Sequence, residues 1–466
     1  MSERELLRAT ADYAADFIDT LGERPIRPEA EVEQLYEALG GPLPEHGIDA
    51  RTVISELVEA AEPGVVGIPS GRYFGFVIGG ALPAALAADW LTSAWDQNAG
   101  LYVAGPAAAV VEEVARGWLA DLFGLPPDVS VAYVTGCQMA HVTALAAARH
   151  HVLAAEGWDV ARDGLAGSPP IRVVVGAKRH VTLDRALRLL GIGASSIVVV
   201  PADDQGRMRV SELPDLSGPP TIVCGKAGEV NTGSFDDLAA IADAAEAAGA
   251  WFHVDGAMGL WVGAVPHMRH LLSGAERADS WATDAHKFLN VPYDSGIAFC
   301  AHPDAHRAAM SVTASYLIHS KDPRMRDEVD WTPEFSRRAR GFTTYAALRS
   351  LGRAGVAELV ERCCAHARRF AELLAEGGAT ILNDVVMNQV LVRFGDGERT
   401  REVIERVQAD GTCWLGGTEW DGEHAMRISV SNWRTTEQDV ERSSAAILRA
   451  ARADRKLLTN PAPIRT

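Results

Sequence analysis

Between about residues 101 and 355 six short apolar runs recur, VAYVTG, IRVVVGA, SIVVVPA, TIVCGKA, WFHVDGA and GIAFCAH, separated by stretches with helical periodicity. Runs this short, rich in β-branched residues and closed by Gly or Pro, predict buried strands. Strands that alternate with helices predict an α/β architecture, a doubly wound and mostly parallel sheet. Such a sheet lines up the C-terminal ends of its strands along one edge, and open α/β folds bind their ligands there. The residues that follow the runs are therefore where chemistry is expected.

One of those ends carries an acid. WFHVDGA delivers Asp255 to the sheet edge, and the later segment ADSWATDAHKFLNVPYDSG carries His286 and Lys287. A buried carboxylate and a lysine on one edge are the two groups a protein needs to hold pyridoxal phosphate. The carboxylate keeps the pyridine nitrogen protonated and the lysine takes the aldehyde as a Schiff base. Lys287 must be unprotonated part of the time, so a desolvated or cationic surrounding is expected, and His286 beside it fits.

The chain resembles the group II pyridoxal-phosphate-dependent decarboxylases, the family of the aromatic-L-amino-acid, glutamate and histidine decarboxylases, which share the fold-type I architecture. Ordered matching segments run from ADYAADFIDTLGERPIRP through FGFVIGGALPAALAADWLTSAWDQN, TGCQMAHVTALAAAR and RHVTLDRALRLLG to MRISVSNWRTTEQDV. The resemblance implies a large cofactor-binding domain over 101–355, a small α+β domain over 356–466, and an N-terminal helical segment, 1–100, that packs across the partner subunit of a homodimer. The amphipathic stripe Leu6, Tyr13, Phe17 and Leu21 agrees, since an apolar face so near the start needs a surface to cover it.

Composition suits such an enzyme. The 466 residues suggest two or three domains, and 47% hydrophobic with 23% charged residues is ordinary for a globular chain. A net charge of −18 argues against nucleic acid or an anionic membrane as partner. The start, MSERELLRAT, has no apolar signal region and no run is long enough to span a bilayer, so a cytoplasmic protein is expected. Six cysteines show neither a CxxC pair nor metal-like spacing with histidines, so reduced thiols and no metal are expected.

Further site residues follow. TGCQMAH turns a strand into a helix, and free N–H groups at a helix start suit a phosphate; Gly136, Cys137 and Gln138 are the expected donors. By resemblance His180 stacks on the cofactor ring and orients the substrate carboxylate, Asn231 and Thr232 touch the cofactor from the loop after TIVCGKA, and Ala257 lies against it. Glu229 on that loop would tune the ring or meet the substrate. Phe74, Phe76, Trp95 and Tyr102 would line an apolar substrate pocket tolerant of aromatic side chains.

One departure bears on the chemistry. Loss of CO2 leaves a Cα that must be protonated, and in the resembled enzymes a tyrosine on a mobile loop does this. The corresponding stretch here, HSKDPRMRDEVDWTPEFSRRARGF, has no tyrosine, so for decarboxylation Glu328, His319, Tyr316 or a water would have to supply the proton. The expected function is decarboxylation of an L-amino acid, aromatic or bulky apolar, to the amine. The alternative is another pyridoxal-phosphate reaction: aldehyde synthase, aldolase-like lyase or aminotransferase.

Overall fold

The computed structural model describes residues 2–312, 322 and 324–453. These form two compact units, a larger one of 79–368 with 382–390 and a smaller one of the described residues within 1–78, 369–381 and 391–466.

The larger unit is built on seven strands: Ser130–Val134 (β1), Arg172–Gly176 (β2), Ile197–Val200 (β3), Thr221–Lys226 (β4), Trp251–Asp255 (β5), Ser280–Asp284 (β6) and Gly296–Cys300 (β7). Their order is β1-β7-β6-β5-β4-β2-β3. All neighbours run parallel except β7, which is antiparallel to both β6 and β1. Two antiparallel steps restore direction, so β1 leaves the sheet on the same edge as β5 and β6. Six of the strands are the predicted runs. The seventh, β6, has the sequence SWATD, whose Ser280, Thr283 and Asp284 hide a strand that is buried throughout.

The outer edge of β1 is closed by charge rather than by another strand. Arg326 donates to the Val131 carbonyl, and Arg337 donates to the Tyr133 carbonyl at 2.8 Å and pairs with Glu112 at 2.9 Å, both of those side chains fully buried. Capping exposed strand carbonyls in this way removes a template for unwanted pairing.

In the smaller unit β8 (Thr380–Ile381), β9 (Gln389–Arg393), β10 (Gly416–Trp420) and β11 (Glu423–Ser429) form a sheet of order β10-β11-β9-β8. The helix Glu3–Thr20 starts in a Ser2/Glu5 capping box and buries none of its residues. The boundaries differ from those expected at 100 and 355: residues 2–78 join the C-terminal residues. Arg72 supplies a reason. It is 1% exposed and donates to the carbonyls of Gly22 (3.0 Å), Arg24 (2.8 Å) and Thr412, while Phe74 N–H bonds to the Trp414 carbonyl at 2.7 Å. No helix among the described residues is long and apolar enough to cross a membrane.

Candidate active site

The shared edge of β1, β5 and β6 brings Gly136, Asp255 and Asp284 together. Asp284 is the hub. Its carboxylate accepts the Cys137 N–H at 2.6 Å, lies 2.9 Å from Lys287 Nζ and 3.2 Å from His286 Nε2. His286 Nδ1 accepts the Ser295 N–H at 3.1 Å, so the ring hydrogen sits on Nε2 and faces Asp284. Burial pulls the His286 pKa down, with Asp284 acting against it, so the ring is neutral. His286 thus supports the lysine indirectly, by fixing the carboxylate that holds it.

Lys287 is desolvated, but the charge beside it is the Asp284 anion rather than a cation. Burial alone would lower its pKa, but Asp284, with smaller contributions from Cys137 and Asp255, outweighs burial and holds the ammonium protonated well above the ordinary lysine value. The turn that carries it is packed from outside by Gly79 and Gly80. Gly79 N–H meets the His286 carbonyl at 3.3 Å, and a Cβ on Gly79 would lie 2.0 Å from the Lys287 carbonyl oxygen, so only glycine fits. Gly80 N–H donates to Asn290 Oδ1 at 2.6 Å. The FGFVIGG segment, expected to line a substrate pocket, therefore ends as a brace for the lysine turn.

Asp255 ends β5 in a different environment. Burial pushes its pKa up, but His141, His180 and the Ala257 N–H at 3.2 Å prevail and hold it well below the ordinary carboxylate range. It is an anion at any physiological pH. His141 Nε2 stands 3.6 Å from Asp255 Oδ2. His180 caps the helix Val181–Leu189; its Nδ1 accepts from the Thr182 N–H at 3.4 Å, which leaves the hydrogen on Nε2. Ala257 packs beside Cys137 and Ala140. The structure therefore collects Gly136, Cys137, His180, Asp255, Ala257, His286 and Lys287 in one neighbourhood.

Other expectations are redirected. Cys137 N–H, expected to face a phosphate, is given to Asp284, and burial pushes the Cys137 thiol well above its ordinary pKa. Asn231 and Thr232 donate their backbone N–H groups to Glu229 at 2.6 and 2.7 Å, and Glu229 is 1% exposed, so these residues and Glu229 brace their own loop. Phe74 is core, edge-on to Phe370 at 4.9 Å, not a pocket wall. Phe76 stacks on Trp414, Trp95 meets Phe342 edge-on at 5.0 Å, and Tyr102 starts a short 3-10 turn with its N–H on Asp327. Glu328 belongs to the charged cluster over β1, 3.5 Å from Arg326 and 1% exposed, and burial raises its pKa; it does not join Asp255 and Lys287 in this chain. His319 and Tyr316 lie outside the described residues.

Two site residues went unread in the sequence, Asp284 and Tyr293. The Tyr293 ring lies 4.4 Å from that of His286 and is more than half exposed. Burial of the phenol group raises its pKa to about 12 against the opposing pull of Lys287, so it stays protonated.

These residues suit pyridoxal phosphate. Asp255 offers a permanent anion, Lys287 an amine, and the helix Cys137–Ala155 opens with Gln138, whose side-chain amide is buried with neither atom hydrogen-bonded among the described residues. An unspent buried amide at a helix start offers hydrogen bonds of the kind a phosphate group would take. Cys137, His141 and Asp255 also lie within 4.8 Å of one another, but a protonated thiol is a poor ligand and the group is accounted for as a hydrogen-bonded set.

Comparison with known proteins gives the same answer. Tryptophan decarboxylase 1 of Oryza sativa subsp. japonica is 27% identical over 92% of this chain and 90% of its own length. The 4-hydroxyphenylacetaldehyde synthase of Rhodiola rosea is 25% identical over 93% of this chain and 92% of its own. The crystal structure of Oryza sativa TDC with PLP and tryptamine shares the fold, with a TM-score of 0.90 at 24% identity over 96% of this chain and 97% of that one. Residues 33–394 match the pyridoxal-dependent decarboxylase conserved domain, and the chain belongs to that family of pyridoxal-phosphate-dependent carboxy-lyases.

Proposed function

We propose that this enzyme removes the α-carboxylate of an aromatic or bulky apolar L-amino acid and releases the amine. The observation that carries the reading is the opposed pair on one sheet edge: the fixed anion of Asp255 and the exchangeable ammonium of Lys287. When bound, pyridoxal phosphate supplies an electron sink for the bonding pair left at Cα. Asp255 would keep the ring nitrogen charged, the Gly136–Gln138 turn would receive the phosphate, and the Nε2–H of His180 would orient the substrate carboxylate. The Cα–carboxylate bond breaks, CO2 leaves, and a proton takes its place. Tyr293, a protonated phenol beside His286, is the proton source this reading assigns in place of the loop tyrosine.

The aromatic preference draws support from the two relatives, a tryptophan decarboxylase and a 4-hydroxyphenylacetaldehyde synthase. A homodimer draws support from the helix Glu3–Thr20, which buries nothing and exposes Leu7 and Tyr13. The missing loop tyrosine and the Rhodiola rosea relative favour a second reading, oxidative conversion to an aldehyde. Mass-spectrometric product analysis against the common L-amino acids, in air and without a keto acid, separates them. An amine supports decarboxylation; an aldehyde with peroxide supports the second reading.

A further inference from the structure

Next to Asp255 runs a chain of buried polar groups that the reaction itself does not use. Trp251 Nε1 lies 2.9 Å from Ser280 Oγ, Ser280 Oγ 2.9 Å from His253 Nδ1, His253 Nε2 2.9 Å from His141 Nδ1, and His141 Nε2 3.6 Å from Asp255 Oδ2. Ser280, His253 and His141 are fully buried.

The direction of this chain follows from donor chemistry. An indole N–H can only donate, so Ser280 Oγ accepts from Trp251. The Ser280 hydroxyl hydrogen then has His253 Nδ1 as its acceptor, and a buried hydroxyl left without one costs about 1–3 kcal/mol. His253 therefore carries its hydrogen on Nε2 and donates to His141 Nδ1. His141 in turn carries its hydrogen on Nε2, and that N–H faces the Asp255 carboxylate, with the Cys137 sulfur 3.5 Å away as a second, weaker acceptor. The separation of 3.6 Å is longer than a formed hydrogen bond, so the contact acts as an oriented dipole on the anion. His253 is neutral, because burial, with His141 next to it, pushes its pKa down to about 3.

We propose that His141 is a positioning residue: an imidazole, oriented from Trp251 through Ser280 and His253, that aims its Nε2–H at Asp255 and so holds that carboxylate for the cofactor's ring nitrogen. This rests on the assignment of Asp255 as the ring carboxylate. Nothing in the local sequence reveals it, since His141 and His253 stand 112 residues apart.

The test has two parts. In cofactor-free protein labelled with 15N-histidine, the nitrogen–hydrogen couplings report the tautomers without any reference to activity. Both His141 and His253 are expected to carry the hydrogen on Nε2; a hydrogen on Nδ1 of either ring overturns the proposal. The second part is pyridoxal phosphate affinity. His141→Leu is expected to weaken it on the order of tenfold, the scale on which outer-shell partners act at metal sites. His141→Gln, which keeps an N–H, restores most of it, and Ser280→Ala weakens it in the same direction. Unchanged affinity in His141→Leu, or a Gln variant no better than Leu, overturns the proposal. A cycle with Asp255→Asn separates the two levels. If Asp255→Asn alone leaves affinity intact, the ring-carboxylate assignment fails. If it weakens affinity and His141→Leu still costs its full tenfold in that background, the positioning role fails.

Discussion

The two ends of the site hold their charges in opposite ways. Lys287, its side chain 21% exposed, is held chiefly by the Asp284 anion, a partner it can give up to bond an aldehyde. Asp255 is held by a hydrogen-bonded chain that runs from His141 through the sheet to Trp251, by His180 and by the Ala257 N–H. The contrast teaches that pairing with a mobile charge suits a group that must change its bonding during a reaction, whereas packing against fixed dipoles suits one that must not. Continuum reasoning agrees: preorganised dipoles stabilise charge without reorganising when it is needed.

The variants below break that comparison at one end or the other. Lys287→Ala removes the exchangeable end; turnover and the absorbance of lysine-bound cofactor should both vanish in steady-state assays and spectra. Asp255→Ala removes the fixed end; turnover should fall on the order of a hundredfold or more while some cofactor stays bound, and normal turnover would refute its role. Tyr293→Phe spares both charges and removes the nearby phenol, so kcat should drop on the order of a hundredfold with KM little changed.

Smaller effects sharpen the contrast. Asp284→Asn removes the anion that raises the Lys287 pKa, so the pH midpoint for covalent cofactor loading should move down, by about one unit or more. A midpoint that stays or rises would show that Asp284 does not hold the lysine. At the other end, His253 has a folded pKa of about 3 against an ordinary value near 6.5. Between these values the unfolded chain binds a proton that the fold refuses, so the stability present above pH 6.5 is lost as pH falls toward 3, by at most about 1.4 kcal/mol per unit. His253→Asn should flatten the fall of Tm with pH across that window.

How much of this the sequence carried differs by residue. Asp255, His286 and Lys287 were legible because their types and local pattern, strand then acid, turn then lysine, state the chemistry without tertiary information. Asp284 was not, although it stands two residues before His286: its importance comes from Cys137, 147 residues away. Its strand, β6, was hidden because a strand paired on both sides can bury Ser280 and Thr283 as readily as valine, and polar residues break the apolar signal. Glu328 was placed near the chemistry by its position in the loop, but the chain folds it over the edge of β1 among Arg326, Glu112 and Glu113. The grouping of residues 2–78 with the C-terminal residues was not legible, because it rests on long-range contacts such as those of buried Arg72, which ties the end of the first helix to residue 412.

The most direct test of the account is where the cofactor attaches. The protein is loaded with pyridoxal phosphate, reduced with borohydride and mapped by peptide mass spectrometry. The account predicts the reduced adduct on Lys287, the lysine 2.9 Å from Asp284. An adduct confined to Lys178 or Lys226, or none at all, would contradict it.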